Sequence, residues 1–209
     1  MILNEISEAL QAGNARKTKE LVQQAIDKNI SVQDILTKGL IDGMDIIGSK
    51  FRNNEIFIPE VLISARAMNQ SIALLKPLLE SSGVKAVGKV CIGTVQGDLH
   101  DIGKNLVKLM LESKGLEVLD LGTDVPAEKF INEAAANDCS VICCSALLTT
   151  TRPVMGDVVK ARDAAGLKDK VKIMIGGAAV NQEFCDEIGA DYFTDNATSA
   201  AEIALSIVS

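Results

Sequence analysis

The hydrophobic period of the chain changes once, and that change decides what it can fold into. Up to about residue 82 the apolar side chains recur at intervals of three and four; from 89 onward they gather in short continuous runs that alternate with helical stretches. A 3.6-residue period lays one apolar stripe on a helix, whereas short apolar runs between helices mark strands covered on both faces. In the first half Ile2, Ile6, Ala9 and Leu10 share a stripe, and Leu21, Val22, Ala25 and Ile26 repeat it after the turn AGN. Val32, Ile35, Leu36, Leu40, Met44 and Ile47 continue it behind Ser31, a predicted N-cap. FRNNEIFIP breaks the pattern, and Pro59, expected at a first helical position, opens PEVLISARAMNQSIALLKPLLE. The expectation is a domain over 1–84 built as a bundle of four helices.

Beyond the polar turn SSGVKAVGK, the runs KVCIGTV, LEVLDLG, SVICCSAL, VKIMIGG and ADYFTD read as five strands. DIGKNLVKLMLESKG, PAEKFINEAAAND, TRPVMGDVVKARDAAG, NQEFCDEIG and TSAAEIALSIVS read as the helices that follow them. Such alternation predicts an α/β domain over 88–209, a doubly wound five-stranded parallel sheet of the Rossmann-like or flavodoxin-like kind. Sheets of this type bind ligands beyond the carboxyl ends of their strands, where the strand order reverses.

Composition removes several function classes. A net charge of −7 argues against a phosphate-tracking surface, and only five Phe, one Tyr and no Trp argue against aromatic platforms for stacking bases, so no nucleic-acid partner is expected. No apolar run reaches the ~18 residues that span a bilayer, and MILNEISEALQAGNARK lacks the cationic start of a secretory signal. The chain is therefore expected in the cytoplasm, away from membranes. Cys91, Cys139, Cys143, Cys144 and Cys185 are odd in number, lack CxxC spacing and sit mostly in apolar runs, which reads as reduced core cysteines.

The stretch that carries chemistry is TVQGDLHDIGKNLVK, 94–108, which holds the only histidine. It follows the first strand, where a ligand of this sheet would sit. A phosphate loop GxxxxGK[ST] fails here, because Asp98 stands at the first glycine position and Asn105 at the hydroxyl position; no GxGxxG is present. An Asp two residues before a His can bond one ring nitrogen and leave the other facing outward as a base or metal ligand. Equally, His100 can be a satisfied loop residue at a helix start capped by Asp101. One histidine does not build a zinc or iron site, so a metal here must arrive with most of its ligands already supplied.

Asp98-x-His100-x-x-Gly103, then Ser145-x-Leu147 after the third strand, then Gly176-Gly177 after the fourth, resemble in order the cobalamin-binding signature DxHxxG…SxL…GG. FRNNEIFIPEVLISARAMNQSIALLKP resembles the helical cap of methyl-carrying corrinoid proteins and of the corrinoid module of methionine synthase, so the resemblance spans nearly the whole chain. It implies a cobalamin cofactor bound base-off/His-on, with the nucleotide tail buried in the sheet domain, His100 as lower axial cobalt ligand and Asp98 holding the other ring nitrogen. It further implies that Ser145 bonds the tail base, that Leu147 lines its slot and that Gly176 and Gly177 let the tail run close to the backbone. Gly97, Asp101, Gly103 and Thr149 complete the implied cofactor contacts. Thr151 stands where the family has a serine that extends the Asp–His relay, which keeps the hydroxyl and adds a methyl group. Phe51, Ile58, Val61 and Met68 match cap residues over the upper face of the ring, with a hinge expected across 81–89.

In function the resemblance implies a corrinoid carrier, not catalytic alone. It would shuttle a methyl group between a substrate-specific methyltransferase and a second methyltransferase acting on folate or thiol, with a reductive activator as a further partner. The alternative is a cobalamin-dependent sensor or regulatory module. A phospho-receiver domain shares the strand–helix plan, but it needs an acceptor Asp after the third strand, where this chain has Ser145.

Overall fold

The structure is a computed structural model that describes residues 1–82 and 86–209. It divides into two compact units, Met1–Lys85 and Ala86–Ser209. The first is helical: α1 (Ile2–Gln11), α2 (Ala15–Asp27), α3 (Val32–Asp34), a π-helical segment (Ile35–Ile41), α4 (Asp42–Arg52) and α5 (Ile58–Ser82). From α3 to α4 the chain stays helical without a break, so the unit has the four rods that the spacing predicts. Asn14 caps α2 by accepting the Lys17 N–H at 3.0 Å, and Ser31 caps α3 by accepting that of Asp34 at 3.4 Å. Ile6, Leu10, Val22, Ile35, Leu40, Met44, Val61 and Leu75 are fully buried along the expected stripes. Two details differ from expectation. Ile2, Ile26, Val32 and Leu36 are only half-buried. Pro59 is the second residue of α5, because Ile58 already belongs to the helix; its missing N–H still falls among the first-turn donors that have no partner within a helix.

The second unit contains β1 (Lys89–Thr94), α6 (Ile102–Ser113), β2 (Glu117–Asp120), α7 (Ala127–Ala136), β3 (Val141–Ser145), α8 (Val154–Ala164), β4 (Lys172–Gly176), α9 (Gln182–Ile188), β5 (Tyr192–Thr194) and α10 (Ala197–Val208). All strands pair in parallel in the order β2-β1-β3-β4-β5. Cys91, Ile142, Cys144, Ile173 and Ile175 point to one face and join Phe130 of α7 and Val158 of α8 in a buried cluster. The alternate residues, among them Ile92, Cys143 and Met174, are buried on the other face, where α6 packs with α10. Cys143 and Cys144 thus point to opposite faces, and all five cysteines are free and buried, as the apolar runs suggest. Arg162 of α8 is fully buried and ion-paired with Asp191 and Asp163; Asp191 also accepts the Ile173 N–H at 2.8 Å, which ties α8 to the entry of β4.

From β1 the chain moves first to β2 on one side and then to β3 on the other. The strand order therefore reverses between β1 and β3, and this is where ligands of such sheets bind. Thr94 and Ser145, the last residues of these two strands, are register partners, so the loops that leave them diverge from adjacent points. The expected hinge at 81–89 includes 83–85, which lie outside the described residues. Among the described residues no helix is long and apolar enough to cross a membrane.

Candidate cofactor-binding site

The loop after β1 turns at Gly97, whose φ of 83° is in the left-handed region. Asp98 is fully buried, while the His100 side chain keeps 52% of its surface exposed. Five donors converge on the Asp98 carboxylate. Oδ1 accepts the His100 backbone N–H at 3.1 Å and its ring Nδ1 lies 2.7 Å away; Oδ2 accepts Leu147 N–H at 2.8 Å, Leu148 N–H at 3.3 Å and the Thr151 hydroxyl at 2.8 Å. The Thr151 Oγ is also 3.1 Å from the Leu148 carbonyl, but a hydroxyl has one proton, and the shorter contact with a charged acceptor takes it.

Burial by itself would push the Asp98 carboxyl up. The bonds from His100, Leu147 and Thr151 outweigh it and hold the carboxyl well below the usual range. An ionised carboxylate only accepts, so the proton of the shared bond sits on His100 Nδ1. In the neutral ring this leaves the Nε2 lone pair pointing away from Asp98, with no protein partner among the described residues. Leu99 and Ile102 in the same loop, and Leu147 and Leu148, whose N–H groups bond Asp98, are 73%, 78%, 43% and 41% exposed. An exposed ring nitrogen with an apolar rim is an unusual surface for a loop to offer to water.

The remaining expected site residues fall in different settings. Ser145 is half-buried at the end of β3, and Thr149 is exposed on the loop beyond it. Leu147 meets Asp98 through its backbone N–H, and its side chain is free to contact something else. Asp101 is the N-cap residue of α6, as expected, but makes no side-chain cap bond; its carboxylate instead accepts the Asn105 side-chain N–H at 3.0 Å. A Cβ at Gly103 would meet nothing within 4 Å, which leaves the start of α6 open to an approaching group. Gly177 is different. A Cβ there would lie 2.0 Å from the Ala146 carbonyl oxygen, so at φ 123° this glycine lets the β4 loop seat against the β3 loop. Of the cap residues, Phe51 is half-buried and Ile58 is 41% exposed, whereas Val61 and Met68 are buried in the helical unit.

Three residues that hold the loop escape the sequence reading. Thr94 donates its hydroxyl to the His100 carbonyl at 2.8 Å, Asp124 accepts the Gly97 N–H at 2.7 Å, and Leu148 adds its N–H to Asp98. LGTDVP signals a turn around Asp124, but nothing in it names a partner 27 residues away.

Residues 88–205 match the B12 binding domain family, and residues 2–76 match a second family described as a B12 binding domain. A corrinoid protein of Desulfitobacterium hafniense is 36% identical over 210 residues, covering 99% of this chain and 97% of its own. Monomethylamine corrinoid protein 1 of Methanosarcina acetivorans is 40% identical over 212 residues, with the same coverage. Among solved structures, the methanol:cobalamin methyltransferase complex MtaBC of Methanosarcina barkeri contains a chain that matches with a TM-score of 0.89 at 32% identity, covering 99% of this chain and 79% of that one. A cobalamin-binding protein of Desulfitobacterium hafniense matches with a TM-score of 0.83, also at 32% identity, covering 99% and 98%.

The residues fit the group these relatives share. No cluster of three or more metal-binding side chains exists among the described residues, so a bare ion has nothing to hold it. A metal that comes inside a ring needs only one further nitrogen and an apolar seat, and His100 Nε2 with Leu99 and Ile102 beside it offers both. The chain belongs to the B12-binding corrinoid protein family, and its cofactor is cobalamin.

Proposed function

We propose that this protein is a methyl carrier. It would take a methyl group from a substrate-specific methyltransferase and present it to a second methyltransferase that uses a folate or thiol acceptor, with a reductive activator to restore it. The observation that carries the reading is the Asp98–His100–Thr151 relay, with Nε2 free at an apolar rim on the switch point of the sheet. Relatives named for monomethylamine and dimethylamine, and a solved complex named for methanol, support a small methylated amine or alcohol as the donor.

When bound, the cofactor supplies a cobalt centre able to accept and release a methyl group. The chain's own residues do the rest. His100 Nε2 would hold the cobalt, in the base-off/His-on arrangement that the resemblance implies. Asp98 holds Nδ1–H and so fixes both tautomer and ring direction, and Thr151 Oγ with the N–H groups of Leu147 and Leu148 keeps Asp98 charged. A proton taken up at Nε2, when the nitrogen is not a ligand, gives an imidazolium already paired with a buried carboxylate. Ser145, Leu147, Thr149, Gly176 and Gly177 are the residues proposed beside the nucleotide tail, with Gly97, Asp101 and Gly103 at the histidine loop. Phe51 and Ile58 keep apolar surface for the shielding role that the cap resemblance assigns.

The test is an absorbance spectrum after mixing with hydroxocobalamin and desalting, beside His100→Ala treated alike. The wild type is expected to stay red, and the variant to hold less cobalamin or to show a shifted spectrum. A folded wild-type protein that emerges colourless refutes the cofactor site, and identical spectra refute axial ligation by His100.

A further inference from the structure

The loop that carries His100 is gripped by a residue outside the relay. Asp124 lies in the connection from β2 to α7 with its backbone at φ 55°, in the left-handed region. Its Oδ1 accepts the Gly97 N–H at 2.7 Å, and its own N–H donates to the Asp98 carbonyl at 3.0 Å. One residue thus holds two consecutive loop residues, the second of which orients the imidazole. Val125 continues the contact by bridging to Val95 in parallel register.

The loop needs an outside hold. Gly97 at φ 83° contributes no conformational preference of its own, and the His100 side chain is half exposed, so packing does not fix it. Within its own segment the loop has Thr94 Oγ on the His100 carbonyl and the Asp98 N–H on the Val95 carbonyl at 3.1 Å. Asp124 supplies the charged acceptor at its tip. Among side chains, Asp and Asn tolerate the left-handed region best, and Asp adds charge to a 2.7 Å bond.

We propose that Asp124 is a positioning residue for the axial histidine. By holding the Gly97 N–H and the Asp98 carbonyl it sets where Asp98 and hence His100 Nε2 stand, and so how readily that nitrogen reaches the cobalt. This rests on the cobalamin reading above, yet part of its test does not. Asp124→Gly keeps the left-handed backbone without strain and removes only the acceptor, while Asp124→Asn keeps an acceptor oxygen without the charge.

The first measurement uses the protein without cofactor. As the only histidine, His100 gives one set of imidazole signals, and long-range 15N–1H correlation reads which nitrogen carries the proton. The second uses the cobalamin-loaded protein reduced to Co(II), in which nitrogen splitting in the electron paramagnetic resonance spectrum counts the histidine-ligated fraction. Asp124→Gly is expected to move the imidazole signals away from the Nδ1–H pattern and to lower the ratio of ligated to unligated forms about tenfold, with Asp124→Asn between it and wild type.

Wild-type imidazole signals together with a wild-type ratio in Asp124→Gly overturn the proposal, even if that variant melts earlier. An Asp124→Asn protein no closer to wild type than Asp124→Gly overturns it too. If the wild type binds no cobalamin, the cofactor reading falls by itself. The imidazole signals then decide about Asp124 alone: shifted in Asp124→Gly they support its hold on the loop, and unshifted they refute it.

Discussion

Replacing Thr151 by Val removes one proton from the relay and almost nothing else. The side chain is 7% exposed, and Val preserves its shape, including the methyl group that packs near Gly97. What disappears is a 2.8 Å bond to a fully buried carboxylate, one of five that Asp98 accepts. Hydrogen bonds to charged groups contribute about 1.5–3 kcal/mol each. Four donors remain, one of them at 3.3 Å, so the expected loss is about 2 kcal/mol, near the middle of that range. Thr151→Ser keeps the proton and leaves a methyl-sized gap, which costs about 1 kcal/mol.

The chain suits the assay. It has no Trp and one Tyr, Tyr192, which lies in β5, so intrinsic fluorescence reports the α/β unit alone and avoids mixing two unfolding transitions. Urea unfolding of the cofactor-free protein at pH 7 should rank wild type, Thr151→Ser and Thr151→Val in falling order of stability. A Thr151→Val protein within about 0.5 kcal/mol of wild type, the range of an unremarkable surface change, would refute the argument that Asp98 depends on this hydroxyl.

Three further outcomes follow from the same geometry. Asp120 accepts Lys104 Nζ at 2.7 Å, Lys108 Nζ at 3.3 Å and the Gly122 N–H at 3.0 Å; burial raises its carboxyl, but these partners bring it below the usual range. Such a group stabilises above its unfolded pKa near ~4, and the gain is lost as pH falls through the lowered native value. Asp120→Asn should therefore cost about 2 kcal/mol at pH 7, because Lys104 is 3% exposed and loses its counter-ion, and should draw level with wild type once pH has fallen through the lowered native value; urea titrations at falling pH with an unchanging gap would contradict this. Gly103→Ala should leave the cofactor-free protein as stable or up to about 1 kcal/mol more stable, since a Cβ there meets nothing and α6 gains a better helix former, yet should weaken cobalamin retention on desalting. Equal retention would remove Gly103 from the proposed site. Gly177→Ala should fail to reach wild-type stability in either state, because its Cβ would lie 2.0 Å from a backbone oxygen; a fully stable variant on urea unfolding would contradict the packing role.

Periodicity made the fold legible because burial dictates it. The central strands β1, β3 and β4 are buried on both faces, so their residues had to be apolar in sequence, and the five runs from KVCIGTV to ADYFTD could be read without knowing their order. The same rule hid the detail around Val32 and Leu36, which continue the stripe in sequence yet are only half-buried where the helix passes into the π-helical segment. At the site, Asp98 and His100 were readable because local spacing alone lets one side chain reach the other. Thr151 came from resemblance, since no local rule brings residue 151 to residue 98. Asp124 was unreadable for the same reason: its partner follows the neighbouring strand, 27 residues away, and an Asp in a turn is ordinary.

These long-range bonds also determine where the energetic load of the site falls. The Asp98 carboxylate is satisfied by donors from the loops after β1 and β3, and the Gly97 N–H and the Asp98 carbonyl by Asp124 from the loop after β2. Three adjacent strands of one sheet therefore share the hold on a single imidazole. Desolvating the carboxylate and ordering the loop are costs met when the sheet folds, before any cofactor arrives. A ring nitrogen presented this way carries its tautomer and direction with it, so axial ligation need not recruit them at binding.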